Sequence, residues 1–105
     1  MRKKPTDNNR KLMGALALAR KAGKLKAGAE IAQEVLLKGA PLALVSSDVS
    51  DRTLRNITRA AKRDLIKLPV TQYEIHSGIG VRFAAAAVTD ENFSKLILSS
   101  LNEEA

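Results

Sequence analysis

The chain has 105 residues, with no cysteine, a single histidine, and 18 Lys and Arg against 11 Asp and Glu, for a formal net charge of +7. So short a chain predicts one domain, and the lack of cysteine excludes disulfides, thiolate metal sites and cysteine nucleophiles. The positive charge favours a polyanionic partner, with nucleic acid as the first candidate.

The two ends of the chain predict where the domain begins and stops. Residues 1–9 are basic and lack an apolar anchor, which predicts a mobile tail, and residues 102–105 are expected to fray. No apolar run approaches the roughly 20 residues that span a bilayer, and no signal-peptide cleavage pattern follows the basic start. We therefore expect a cytoplasmic protein with no membrane contact, a monomer when free, with one domain over residues 10–101.

In the first half of the chain, helical and strand patterns alternate. Leu12, Leu16 and Ala19 recur at helical spacing, and Gly23 suits the left-handed residue at which helices often end. The elements predicted here are a helix from about residue 7 to Gly23, a strand at 24–26, a helix over about 29–38 and a strand over 42–45. The inward residues of the second helix are predicted to be Ile31, Val35 and Leu36.

A third helix is predicted from about Ser50 or Asp51, either of which can cap it, to about Ile66. Its predicted core residues are Leu54, Ile57, Ala61 and Leu65. Basic residues occupy the opposite side at helical spacing, namely Arg52, Arg55, Arg59, Lys62 and Arg63. We interpret that stripe as a solvated outer face in preference to a phosphate-binding surface.

The last third predicts two more strands and a final helix. The predicted elements are a strand over 70–73 after Pro69, a loop or short helix over 74–80, a strand over 83–89 and a helix that Asp90 caps. Four alanines in the last strand, Ala84–Ala87, leave little side-chain bulk, so helices can pack close to it. Core positions of the final helix are predicted to be Phe93, Leu96, Ile97 and Leu101.

This alternation predicts an α/β fold, a single three-layer α/β/α sandwich around a small mixed four-stranded sheet. The aromatic residues Tyr73, Phe83 and Phe93 all fall at expected core positions, which argues against stacking of bases on exposed rings. Recognition of a nucleic acid by shape and backbone is the expectation that remains.

No pattern of residues indicates catalysis. The acids are dispersed, and His76 has no evident partner in the sequence and is read as a surface residue, so we expect no enzyme, no cofactor and no metal. The basic residues are more informative. Arg20, Lys21, Lys24 and Lys26 surround the junction at residues 23–28, where the second helix begins and presents unpaired amides, so the junction is a candidate phosphate site.

Two short sequence segments resemble those of a known family. Ala-Arg-Lys-Ala-Gly-Lys-Leu at 19–25 and Ala-Val-Thr-Asp-Glu-Asn-Phe at 87–93 resemble bacterial proteins of the ribosomal L-seven-Ae and L-thirty-e family, and the similarity extends over roughly residues 10–101. The resemblance implies a three-layer sandwich that binds kink-turn or related RNA through the start of helix two and the loop before the last strand.

The residues that the family uses for RNA map onto this chain in part. Its Gly-x-Asn-Glu-x-x-Lys pattern falls on residues 28–34, where Gly28 matches and Glu30, Ile31 and Glu34 replace the Asn, Glu and Lys. Its Leu-Gly-x-Ala-x-Gly pattern resembles residues 75–80, with a histidine in place of the first Gly. These replacements lead us to expect a different RNA from a standard kink-turn, or weaker binding.

We therefore predict a non-catalytic RNA-binding protein of the ribosome or translation machinery, whose partners are RNA and ribosomal proteins. The predicted RNA-binding residues are Lys24, Lys26, Gly28, Ala29, Glu30, Gly80, Val81 and Arg82. One alternative is a ribosome-associated protein-interaction or assembly module with weak, nonspecific RNA contact. Another is a substrate-binding appendage of an RNA methyltransferase, although the chain offers no cofactor-binding half.

Overall fold

A computed structural model of the chain describes residues 9–103, so nearly all of the predicted basic tail and the last two residues lie outside the described part. The helices are α1 (Arg10–Lys21), α2 (Ala29–Leu37), α3 (Asp51–Ala60), α4 (Gln72–Ile79) and α5 (Glu91–Glu103). The strands are β1 (Leu25–Ala27), β2 (Leu42–Val45), β3 (Asp64–Lys67) and β4 (Ala85–Val88). No helix in this part of the chain combines the length and apolarity needed to cross a membrane.

The four strands form one mixed sheet in the order β1-β4-β2-β3. Strands β2 and β3 are parallel, whereas β4 runs antiparallel to both of its neighbours, β1 and β2. Because β4 and β2 occupy the centre, all of their residues are buried. The predicted fold class is confirmed.

Helices cover both faces of the sheet, and the alternation of side chains along β4 shows how. Ala86 and Val88 face a core cluster with residues of α1, α4 and α5, while Ala85 and Ala87 face a second cluster with residues of α2 and α3. Alanine at these positions fits the close approach of helices on each side, as the sequence predicted.

Helix α3 is shorter than predicted, and the expectation that it reaches Ile66 is wrong. The helix ends at Ala60, and Ala61 is already extended, with φ −67° and ψ 126°. Leu65 fits the helical spacing, but residues 64–67 instead pair in parallel with β2. As a strand, this segment packs Ile66 and Leu65 against opposite core clusters, which a helix of the same residues would not do.

Helix α4 occupies residues that were predicted to be a strand and then a loop or short helix. Thr71 is its N-cap: the Thr71 hydroxyl accepts from the Glu74 amide at 3.1 Å, and Glu74 Oε1 accepts from the Thr71 amide at 2.8 Å. This capping box satisfies two amides that a helix end would otherwise leave unpaired. The strand predicted over 70–73 is therefore wrong.

Some predicted core positions are exposed because the structure rotates or relocates their elements. Tyr73 was expected in the core, but its side chain is 74% exposed on the first turn of α4. Ile31 and Leu96 are 41% and 42% exposed, and Ala32 contributes to the second cluster together with Leu36. The small side chain of Ala32 allows α2 to approach the alanine strand closely.

Candidate nucleic-acid interface

One end of the sheet gathers most of the predicted site. Strands β1, β2 and β3 end there and β4 begins there, because β4 runs antiparallel to β1 and β2. Two backbone bonds fix this end: the Gly28 amide donates to the Ala85 carbonyl and the Ser46 amide donates to the Ala84 carbonyl, each at 2.9 Å. We call it the α2 end of the sheet, because α2 also begins there.

The amino end of α2 has no side-chain cap. Gly28 is the N-cap residue, with φ 120° and ψ 140°, and the first intrahelical bond runs from the Ala32 amide to its carbonyl at 2.9 Å. The amides of the first turn, from Ala29 onward, therefore have no intrahelical acceptor and lie at the positive end of the helix dipole. Glycine is required here because side-chain-bearing residues rarely adopt this backbone conformation.

The three positions at which α2 departs from the family pattern lie on or near the surface. Glu30 and Glu34 are exposed and Ile31 is 41% exposed. Glu30 complements the helix dipole in the first turn, yet its carboxylate repels a phosphate placed at the same amides. A phosphate at this end is therefore held more weakly than at a helix start without an acid.

The segment at residues 80–82 connects α4 to β4. Gly80 ends α4 in the left-handed conformation, with φ 82°, and its amide donates to the His76 carbonyl at 2.9 Å. Val81 is half-buried and packs against the first core cluster, whereas Arg82 is exposed. From the last turn of α1, Arg20 Nη1 donates to the Ile79 carbonyl at 3.4 Å, which brings one more cation beside this segment.

A chain of hydrogen bonds ties Arg82 to the α2 end of the sheet. Arg82 Nε donates to Gln72 Oε1 at 3.4 Å, and the Gln72 amide donates to Asp48 Oδ1 at 3.1 Å. The nearby Ser46 hydroxyl and the hydrogen bond from the Gln72 amide lower the pKa of Asp48. The guanidinium is thus anchored through Nε only, and its two terminal nitrogens remain able to contact a phosphate.

The two predicted lysines lie at different places along β1. Lys26 pairs with Ala87 in the sheet and lies on the face covered by α2, close to Gly28. Lys24 precedes the strand, and its carbonyl accepts from the Thr89 amide at 2.9 Å at the opposite end of the sheet. At about 3.3 Å per residue, its Cα lies roughly 13 Å from that of Gly28. The structure therefore separates Lys24 from the other predicted site residues.

Two exposed residues at the α2 end of the sheet were missed from the sequence. Tyr73 follows Gln72, the hydrogen-bond partner of Arg82, and Lys67 ends β3 in register with Val45. The Thr-x-x-Glu spacing of residues 71–74 is the signal that could have placed Tyr73 on a helix start instead of in a buried strand. Nothing comparable in the sequence marks Lys67, whose position depends on the pairing of β3 with β2.

Two features decide what chemistry the described residues can support, namely groups of metal-binding side chains and the environment of the single histidine. Within residues 9–103, no group of three or more His, Asp or Glu side chains is arranged to hold a metal ion. His76 is exposed on α4, as the sequence predicted. The chemistry that this end of the sheet supports is the binding of an anion by backbone amides, lysine and arginine.

Comparisons with known proteins show the fold. No family model matches the chain, and no curated protein matches it. Among solved structures, a protein of unknown function from Bacillus halodurans C is similar with a TM-score of 0.75 and 21% identity, covering 88% of this chain and 97% of that one. The 15.5kD RNA-binding protein of Giardia lamblia is similar with a TM-score of 0.68 and 12% identity, covering 92% and 87%. The chain thus shares its α/β sandwich with these two proteins over nearly their whole length.

Proposed function

We propose that this protein is a non-catalytic RNA-binding protein of the ribosome or translation machinery, and that it holds structured RNA against the α2 end of the sheet. One observation carries the proposal. The Gly28–Ala85 hydrogen bond places the uncapped start of α2 beside the strand that follows Arg82, so backbone amides and a guanidinium edge lie at the same end of the sheet. The Giardia protein of similar fold is an RNA-binding protein, which supports the same ligand class.

Each residue of the proposed interface has a distinct part. The amides at Ala29 and Glu30 and the Lys26 ammonium contact phosphates, while Gly28 gives the backbone its conformation and lets the RNA approach. Arg82 contacts a further phosphate, and Gly80 and Val81 shape the loop that carries it. These contacts read the backbone and the shape of the RNA and supply affinity in a sequence-independent way.

Kink-turn RNA is the specific ligand that the family resemblance suggests. Glu30 and Glu34 add two negative charges where the family pattern has Asn and Lys, so this interface favours RNA whose phosphates lie away from them. We propose that the protein prefers a bulged or bent RNA over a regular duplex, with lower affinity for a standard kink-turn than the family pattern would give.

The test is a binding titration with a bulged RNA stem–loop at increasing salt. Between about 50 and 200 mM salt, each neutralised phosphate contributes a slope of roughly 0.7 to 0.9 in log K against log salt. Arg82→Gln should weaken binding and reduce that slope by about one phosphate, whereas Lys95→Gln, an exposed charge on α5, should leave both nearly unchanged. Salt-independent binding, or none at low salt, would contradict the proposal.

Association with the ribosome is tested separately. The protein is proposed to act in the cytoplasm, as a monomer when free, and to sediment with ribosomes through RNA contacts. Charge reversal of Lys26 and Arg82 together, the two cations of the proposed interface, should then release it from ribosomes. If the double variant still sediments with them, contacts with ribosomal proteins dominate and the assembly-module alternative is favoured.

A further inference from the structure

We propose that the outer side of α3 is a second phosphate-contacting surface for RNA. Arg52, Arg55 and Arg59 are exposed on this helix, and we call them the α3 arginine face. At 100° per residue they lie within an arc of about 60° centred opposite Ile57, which is fully buried in the second core cluster. The three guanidinium groups therefore project together from the outer layer of the sandwich.

The α3 arginine face lacks an ionic partner in the described part of the chain. In residues 9–103, no salt bridge or side-chain hydrogen bond involves any of its three arginines. Arg63, which the sequence grouped with them, differs, because it pairs with Glu91 and lies beyond the end of the helix. Of the five basic residues of the predicted stripe, three form the α3 arginine face, Arg63 forms an ion pair, and Lys62 is exposed beyond the end of the helix.

The arrangement is unfavourable for an isolated helix. Arg52 and Arg55 are three residues apart and Arg55 and Arg59 are four apart, spacings at which like charges repel. Uncharged polar residues, or residues of alternating charge, would keep a helix surface hydrated as well as three aligned arginines do. A polyanion would relieve the repulsion and release counterions, so three aligned arginines fit an RNA backbone better than they fit a purely solvated face.

The position of α3 links this face to the proposed RNA site. Helices α2 and α3 pack side by side on one face of the sheet, and α3 begins just after the loop that leaves β2 at the α2 end of the sheet. From Arg52 to Arg59 the face extends about 10 Å along the helix. RNA held at the start of α2 would continue along it, with guanidinium groups on successive phosphates. The inference rests on the proposed function in that its ligand is the same RNA.

The test compares two triple variants that remove equal charge. One is Arg52→Gln, Arg55→Gln and Arg59→Gln; its control is Lys11→Gln, Lys38→Gln and Lys95→Gln, three exposed lysines on other parts of the chain. The probe is a bulged RNA stem–loop, made once with a short flanking helix and once with that helix extended by one turn. The wild-type protein should bind the extended RNA more tightly than the short one, and the arginine variant should lose this gain. The arginine variant should also reduce the slope of log K against log salt by about 2, since each phosphate contributes roughly 0.7 to 0.9. The control should change the slope by less than half as much.

Four results separate the possibilities. An arginine-to-lysine triple variant that keeps the salt slope, with unchanged thermal unfolding of all variants, supports charge contact over a folding defect. Equal losses in the two glutamine variants would overturn the inference in favour of overall charge. If the α3 glutamine variant binds with wild-type affinity while Arg82→Gln still weakens binding, the inference is overturned and the proposed function stands. If the wild-type protein binds neither RNA, both the inference and the proposed function are overturned.

Discussion

The Gly28 amide donates to the Ala85 carbonyl at 2.9 Å, and this single bond joins the start of α2 to the start of the central strand β4. Gly28 and Ala85 lie 57 positions apart in the sequence, yet the bond brings the uncapped helix end and the segment that carries Arg82 to one end of the sheet. Because Gly28 also needs φ 120°, the geometry of the proposed interface depends on a residue without a side chain.

Gly28→Ala should therefore destabilise the protein. A Cβ at this position meets only Ile31 Cγ2, at 3.8 Å, so the cost is backbone strain, of about 1–3 kcal/mol, and not a clash. Gly14→Ala is the matched control, because Gly14 lies within α1 with nothing within 4 Å of an added Cβ, and alanine favours a helix by about 0.5–1 kcal/mol. Urea unfolding measures both. Equal free energies of unfolding for the two variants would show that the Gly28 conformation is not required.

Tyr73 offers a direct optical signal of RNA binding at Arg82. The chain has one tyrosine and no tryptophan, so its intrinsic emission comes from this residue alone. Tyr73 is 74% exposed and follows Gln72, which accepts a hydrogen bond from Arg82. RNA bound at Arg82 should quench the emission with the same midpoint as a direct binding titration. Constant emission through a saturating titration would place the RNA elsewhere on the protein.

The capping box of α4 should contribute measurably to stability. Thr71→Ala removes the hydroxyl that accepts from the Glu74 amide, which leaves a helix amide unpaired and should cost about 1 kcal/mol of unfolding free energy. Thr71→Ser keeps the hydroxyl and should retain most of that stability. Chemical denaturation of the pair provides the comparison, and an alanine variant as stable as the serine variant would contradict the role given to the cap.

The Arg63–Glu91 ion pair predicts a pH dependence. The hydrogen bond and charge of Arg63 lower the pKa of Glu91, so the pair's stabilisation is present above the ordinary value of 4.5 and is lost as pH falls through the lowered pKa. Arg63→Ala should raise the pKa of Glu91 toward its ordinary value. The titration of the Glu91 carboxyl carbon, followed by NMR, measures this change. Arg59→Ala, which removes an equal charge from α3, should leave that pKa in place. A Glu91 titration unaffected by either variant would rule out the pairing in solution.

Local sequence patterns were sufficient to predict those helices and strands whose residue spacing agrees with their burial in the fold. The helical spacing of Leu12, Leu16 and Ala19 predicts α1, and the apolar run 42–45 predicts the buried strand β2. The four alanines correctly indicate a strand enclosed by helices. Each of these segments has one pattern that matches both its own conformation and its burial.

The errors arose where a local pattern allowed two conformations. Leu65 continues the helical spacing of α3, and only pairing with β2 decides that residues 64–67 are a strand. Tyr73 is a good strand former, yet the Thr71–Glu74 capping box starts a helix there and turns the ring to solvent. The separation of Lys24 from Gly28 likewise follows from the direction of β1, which residue clustering in the sequence does not reveal.

The central claim is that RNA binds at the α2 end of the sheet, and amide chemical-shift mapping of the ¹⁵N-labelled protein with a bulged RNA stem–loop tests it most directly. The largest shifts are predicted at residues 28–30 and 80–82, with smaller ones along Arg52, Arg55 and Arg59 and little change at Lys24. Shifts concentrated around Lys24 and Thr89 at the opposite end of the sheet, with residues 28–30 unchanged, would contradict the account.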